Sequence, residues 1–352
     1  MTTVEEAVSS DLRLSVLDQS MISEGSTGPE TLRNTLDLAR LADELGYHRY
    51  WVSEHHGGRF VAGASPEALI GPIASVTSGI RVGSGGVMLP HYSPFKVAET
   101  FSVLAGIFPG RIDLAVGRAA GTDQLTTFAL QRDRRQAGPD DFPQQLAELL
   151  GYIEGAQPEG FPFAHLASAM PGQPEAPVPW LLGSSPQSAI WAGELGLPYA
   201  FADFINPGGV DFAGLYRERF TTGLREQAPR TIVALTVFCA DSDEEARAMA
   251  ASSRMAFSLL RAGTPIQLPP PAKALRFLED RGDTSPQPRG RRAIYGTPPT
   301  VRLEIERLAD IYGAEEVVVV TVAYDHEARR HSYELLAEAF ALTPRVARAE
   351  AA

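Results

Sequence analysis

The chain has 352 residues, 44% apolar and 21% charged, with 31 basic against 43 acidic side chains and a net charge of −12. This composition can bury a full core and excludes a disordered chain, while the length admits one large domain or two ordinary ones. No basic stripe offsets the acidity, which argues against a nucleic-acid partner, and no run of about 18 apolar residues offers a membrane span.

In chain order, strand-like and helix-like patterns alternate. Leu12 to Asp18 reads as a strand. Pro29 to Leu45 carries a helical apolar stripe through Leu32, Leu36, Leu41 and Leu45, with Gly46 as its stop. His48 to Ser53 is a second strand, Pro66 to Val76 a helix, Ile80 to Leu89 a third strand and Pro94 to Ile107 a helix. Arg111 to Val116 is a fourth strand, so four βα units fit roughly the first 150 residues. Helices follow at Phe142 to Ile153, Gln187 to Leu195 and Asp211 to Leu224. Strands are expected at Val178 to Leu182, Tyr199 to Ala202 and Thr231 to Ala240. Ser242 to Glu245 reads as a capping box opening a helix to about Arg261. Thr297-Pro298 opens another helix ending at Gly313, before a Val-rich strand, Glu316 to Ala323, and a last helix, Glu327 to Phe340.

Eight strands, each followed by a helix and several apolar on both faces, specify a (β/α)₈ TIM barrel spanning the chain as one domain. A doubly wound sheet is the alternative. Residues 1–11 and 343–352 read as tails. The proline-rich segment 263–296, with a basic cluster at Arg289, Arg291 and Arg292, reads as a lid or mobile loop. The single cysteine, Cys239, excludes an internal disulfide. The acidic start, Met1 to Ser10, is no signal peptide, so a cytoplasmic location is expected. Basic residues are almost all Arg, as a GC-rich bacterial gene would encode.

Barrel chemistry sits at the C-terminal ends of the strands. There the chain places Glu54-His55-His56, Gly83-Ser84-Gly85-Gly86, Gly117-Arg118 and Gly183-Ser184-Ser185. A histidine at a pocket floor suits acid–base work near neutrality, against the plainer reading of a loop cap. A metal site has no further ligands at known spacing. The glycine run lacks GxGxxG spacing and leads into Val87-Met88-Leu89, not a helix, which rejects a Rossmann turn. Arg118, with Ser184, Ser185 and Ser188 at a helix start, would make a phosphate site. Singly, each also reads as an ion pair or an N-cap.

Several stretches together resemble the bacterial luciferase-like monooxygenase family. They are Tyr50 to His56, Val82 to Pro90, Ser93-Pro94, Ala98-Glu99, Pro109 to Arg118 and Leu182 to Pro186, in matching order from about Leu12 to Phe340. The resemblance implies His55 as the catalytic histidine and His56 as a neighbour shaping the cofactor pocket. It implies Arg118, Ser184, Ser185 and Ser188 around the flavin phosphate. Ser184 departs from luciferase itself, which has a carboxylate there. It also implies a cis peptide at Gly85-Gly86 beneath the flavin ring.

The function so implied is an FMN-dependent monooxygenase. It would take reduced FMN from a separate flavin reductase and use O₂ to oxygenate a small organic substrate through a C4a-peroxyflavin. A homodimer is expected, and an aromatic polyketide or other natural-product (antibiotic biosynthesis) tailoring step is one substrate reading. The alternatives are a deazaflavin coenzyme for hydride transfer and a non-catalytic flavin-binding protein.

Overall fold

A computed structural model describes residues 12–119, 121–131, 140–223, 226–283 and 291–345. Its strands are β1 (Arg13–Asp18), β2 (Arg49–Val52), β3 (Arg81–Met88), β4 (Ile112–Gly117), β5 (Val178–Gly183), β6 (Tyr199–Ala202), β7 (Thr231–Cys239), β8 (Ala293–Gly296) and β9 (Glu316–Val320). The first half carries helices α1 (Gly28–Glu44), α2 (Pro66–Ser75), α3 (Pro94–Ile107), α4 (Gln124–Leu130) and α5 (Phe142–Ile153). The second half carries α6 (Pro186–Glu194), α7 (Val210–Glu218), α8 (Asp243–Arg261), α9 (Pro271–Asp280), α10 (Pro298–Tyr312) and α11 (His326–Ala339).

All strand pairings are parallel, and β7 joins β6 on one side and β9 on the other. With β9 beside β1, eight strands close into a TIM barrel, which excludes the open doubly wound sheet. Closure also explains the continuous apolar runs, because helices cover the outer face while side chains fill the interior. Leu17, Trp51, Ala115, Trp180, Ile232 and Val318 form that interior, with Trp51 and Trp180 edge-to-face at 5.5 Å.

Two elements fall inside the segment 263–296, where the sequence reading has only loop. Helix α9 packs Ala274 and Leu278 against Ala251 and Met255 of α8. Strand β8 pairs with the far end of β7, Thr236 to Cys239, overlapping the barrel-closing β7–β9 pairing only at Thr236. The triple proline 269–271 marks the helix start, where the missing N–H does no harm. Residues 284–290, Arg289 among them, lie outside the described residues, as do 1–11 and 346–352; of the expected tail 343–352, residues 343–345 are described, and Arg345 meets Asp43 at 3.3 Å. The expected capping box at Ser242 forms by half. Its hydroxyl caps Glu245 N at 3.3 Å, but the Glu245 carboxylate takes that hydroxyl rather than the Ser242 N–H.

The N-terminal ends of the strands are locked by a buried ion network. Arg49 donates to Glu316 at 2.5 Å and 2.9 Å and to Asp113 at 2.6 Å, and Arg81 meets Asp113 at 2.6 Å. Burial alone would raise the Asp113 carboxyl, but the charges of Arg49 and Arg81 hold it below its ordinary value. The Arg49 guanidinium also lies 4.7 Å from the Trp180 ring centre, within cation–π range. No helix among the described residues is long and apolar enough to cross a membrane.

Candidate active site

The opposite ends of the strands surround a cavity of about 340 Å³. Leu17, Trp51, Gly85, Met88 and Val318 line it from the barrel strands, Phe60 and Phe204 from the connections and Leu260 from α8. His55, Gly85, Arg118, Ser184, Ser185 and Ser188 all face this one space. His56 and Gly86 are not on its lining.

His55 lies three residues past the end of β2, so the strand fixes where its backbone emerges. Its Nδ1 lies 3.0 Å from the Ser53 hydroxyl, which sets the ring orientation and leaves Nε2 without a hydrogen-bond partner among the described residues. Burial, with smaller contributions from His56 and Arg291, lowers the ring's pKa from 6.5 to about 4. At neutral pH the imidazole is therefore uncharged and able to accept a proton.

His56 takes a different task from the expected pocket contact. Its Nε2 is 2.6 Å from Glu54 Oε1, and its ring stands edge-on to His91. Glu54 is fully buried and also accepts from the Tyr92 hydroxyl at 3.0 Å and the Met88 N–H at 2.9 Å. Glu54 and His56 thus tie the β2 and β3 loops together beneath His55. Gly121 is needed beside them: at φ +62° a Cβ there would stand 2.8 Å from the Glu54 carbonyl.

The peptide Gly85–Gly86 is cis, as the resemblance implies. Gly85 presents bare backbone at the floor, and a Cβ on it would press within 2.7 Å of Leu17 and 3.0 Å of Trp51.

Across the cavity, β5 delivers Ser184 and Ser185 to the N-terminus of α6. Ser185 and Ser188 form a reciprocal capping box. Ser188 Oγ also donates to the Ser185 carbonyl at 2.8 Å and lies 3.0 Å from the Tyr199 hydroxyl, so it serves the helix start before any ligand. Only glycine fits at 183, because a Cβ there would sit 2.0 Å from Ser188 Oγ. The Ser184 hydroxyl has no partner among the described residues. Arg118, half exposed at the end of β4, meets Asp140 at 3.1 Å and passes over the Trp191 ring at 5.8 Å.

Sequence reasoning assigned no role to two arginines beside this space. Arg291 lines the cavity and packs 4.5 Å from the Phe257 ring centre. Arg292 reaches Asp203 at 3.3 Å and donates to the Pro207 carbonyl at 3.1 Å. The basic cluster was the visible signal, but only the β7–β8 pairing reveals which side chain faces inward.

Comparison with known proteins gives the family. The luciferase-like monooxygenase family model matches residues 12–344. A luciferase-like monooxygenase of Escherichia coli (strain K12) is 39% identical, covering 92% of this chain and 96% of that one. An N-acetyl-S-alkylcysteine monooxygenase of Bacillus subtilis (strain 168) is 38% identical, covering 93% of this chain and 98% of that one. The crystal structure of apo-MsnO8 superposes with a TM-score of 0.86 at 41% identity, covering 96% of this chain and all of that one. The oxygenating constituent of 3,6-diketocamphane monooxygenase from Pseudomonas putida, solved with FMN, shares the fold at a TM-score of 0.69 and 21% identity, covering 95% of this chain. The chain belongs to the luciferase-like monooxygenase family and is an oxidoreductase.

Proposed function

We propose that the chain is an FMN-dependent monooxygenase that receives reduced FMN from a separate reductase. One observation carries the reading: a single cavity is lined by Arg118 and the serines at the start of α6, by bare glycine backbone at Gly85 and by His55. The residues fit the cofactor. Arg118, the Ser184 hydroxyl, Ser185 and the N-terminus of α6 suit a phosphate, and the floor at Gly85 accepts a flat ring. When bound, reduced FMN supplies two electrons and reactivity toward O₂, so that one oxygen atom enters the substrate and the other leaves as water.

The chain's own groups do the rest. Met21, Phe60 and Phe204 give the cavity apolar walls that keep water from the reacting atoms. Ser53 orients His55, whose Nε2 takes or returns the proton. Arg118 and the serines hold the phosphate end, which fixes the ring over Gly85.

The test is rapid mixing of the purified chain, loaded anaerobically with reduced FMN, against oxygenated buffer. Oxidised-flavin absorbance should return at least about tenfold more slowly than for free FMN, since protection is what the walls supply. Return at the free rate would overturn the reading and direct the titration to the deazaflavin coenzyme. Arg118→Ala should weaken reduced-FMN binding by about 1.5 kcal/mol, roughly tenfold. That is the low end for a charged hydrogen bond, because the side chain is half exposed. Unchanged affinity in a fluorescence titration would remove Arg118 from the phosphate site.

A further inference from the structure

The cavity's charge is opposite to that of the chain around it. The chain carries a net charge of −12, yet the ionisable side chains lining the cavity are His55, Arg118 and Arg291, with no acid among its described lining residues. Arg118 has its counter-ion in Asp140. Arg291 has neither a hydrogen bond nor an acidic partner among the described residues, and it rests against the face of Phe257. Leaving a partly buried guanidinium without an anion is unfavourable unless something else completes it.

Its neighbour shows why it stays there. Arg292 is fastened to Asp203 and to the Pro207 carbonyl, and Asp203 is itself held by the Tyr312 hydroxyl at 2.7 Å. Strand β8 begins at the next residue and pairs with β7. One arginine therefore pins the chain to the barrel wall, and the other is presented to the cavity. Phe257, against which it packs, and Phe204, Ile205 and Leu260 of the same cavity lining are apolar. A planar fork beside apolar walls matches a carboxylate on an apolar body.

We propose that Arg291 is the specificity-determining residue of this cavity, holding the carboxylate of a small, otherwise apolar substrate. The proposal rests on the monooxygenase reading, which assigns Arg118 and the serines to the cofactor and leaves Arg291 to the substrate.

Two probes of nearly equal shape isolate the charge: 1-naphthylacetate and its uncharged amide, 1-naphthylacetamide, each titrated calorimetrically into the purified full chain. The wild-type chain should bind the acid at least about tenfold more tightly than the amide. Arg291→Gln should erase that preference while leaving amide binding unchanged, and Arg291→Lys should keep part of it. A wild-type chain that binds both alike, or neither, overturns the proposal, as does an Arg291→Gln chain that still prefers the acid. Reduced-FMN affinity, measured on the same variant, should match the wild type. If it falls as far as acid binding does, Arg291 belongs to the cofactor and the proposal fails while the flavin reading stands. If the wild-type chain binds no flavin, that reading fails, and the acid–amide preference still reports on Arg291.

Discussion

His55→Ala should lower oxygenated product by about two to four orders of magnitude, the range for a positioned acid–base group, while reduced-FMN affinity stays within about twofold. The split follows from placement. His55 lies beyond the end of β2, whereas Arg118, Ser184 and Ser185, the residues proposed to hold the phosphate, are carried by β4, β5 and the start of α6. Electrons not delivered to substrate should appear as hydrogen peroxide, so peroxide yield should rise as product falls. Because burial places the ring's pKa near 4, the His55 proton should not shape the product–pH profile around the ordinary value of 6.5. The same shift has a sign for stability. Between about 4 and 6.5 the unfolded chain binds the proton and the folded chain does not, so the neutral ring's contribution is complete above 6.5 and is lost as pH falls toward 4. His48, lowered to about 4 chiefly by burial, adds to that loss. Wild-type product yield from His55→Ala, or a flavin affinity that falls with it, would exclude the proposed role.

Arg49→Ala should destabilise the fold by about 3–5 kcal/mol, the scale for removing one partner of a buried ion network. The penalty comes from what is left behind. Glu316 loses its main partner and keeps the Ser15 hydroxyl, and Asp113 keeps Arg81 and the Trp51 indole N–H, both carboxylates being fully buried. Burial that the arginine now outweighs would then push both carboxyls upward. A methionine at 49 should not rescue the fold, since it restores volume without charge. Urea unfolding reads the effect directly, and a change below about 1 kcal/mol, the scale of a surface pair, would show the network to be dispensable.

The barrel was legible because parallel strands between helices must be apolar on both faces, and runs such as Val317 to Val320 are. Helix caps were legible at Gly46 and Gly313, both with positive φ. Helix α4 was not, because it buries no residue and so carries no apolar stripe. Helix α9 was hidden by its own prolines, read as breakers although they stand before and at the first turn, and its stripe answers only to α8. Strand β8 is four residues long and pairs on one side only. Among the site residues, sequence position brought His55, Gly85, Arg118 and the three serines to the correct ends of their strands. It could not say which of two adjacent histidines turns inward; that depends on Glu54, whose buried carboxylate captures His56. Nor could it separate Arg291 from Arg292, whose difference is set by Asp203.

The ion network at the strand starts occupies the first residues of β2, β3 and β9 and the second residue of β4, Asp113, while Trp51, Gly85, Gly117 and Val318, which face the cavity, lie farther along the same strands. Inheritance can therefore act on the two ends separately. Substitutions around residues 60–61, 119 and 204–205 can exchange one substrate for another without touching the charges that hold the barrel closed. A lineage built this way can diversify its chemistry quickly while its scaffold stays under a different and stricter selection.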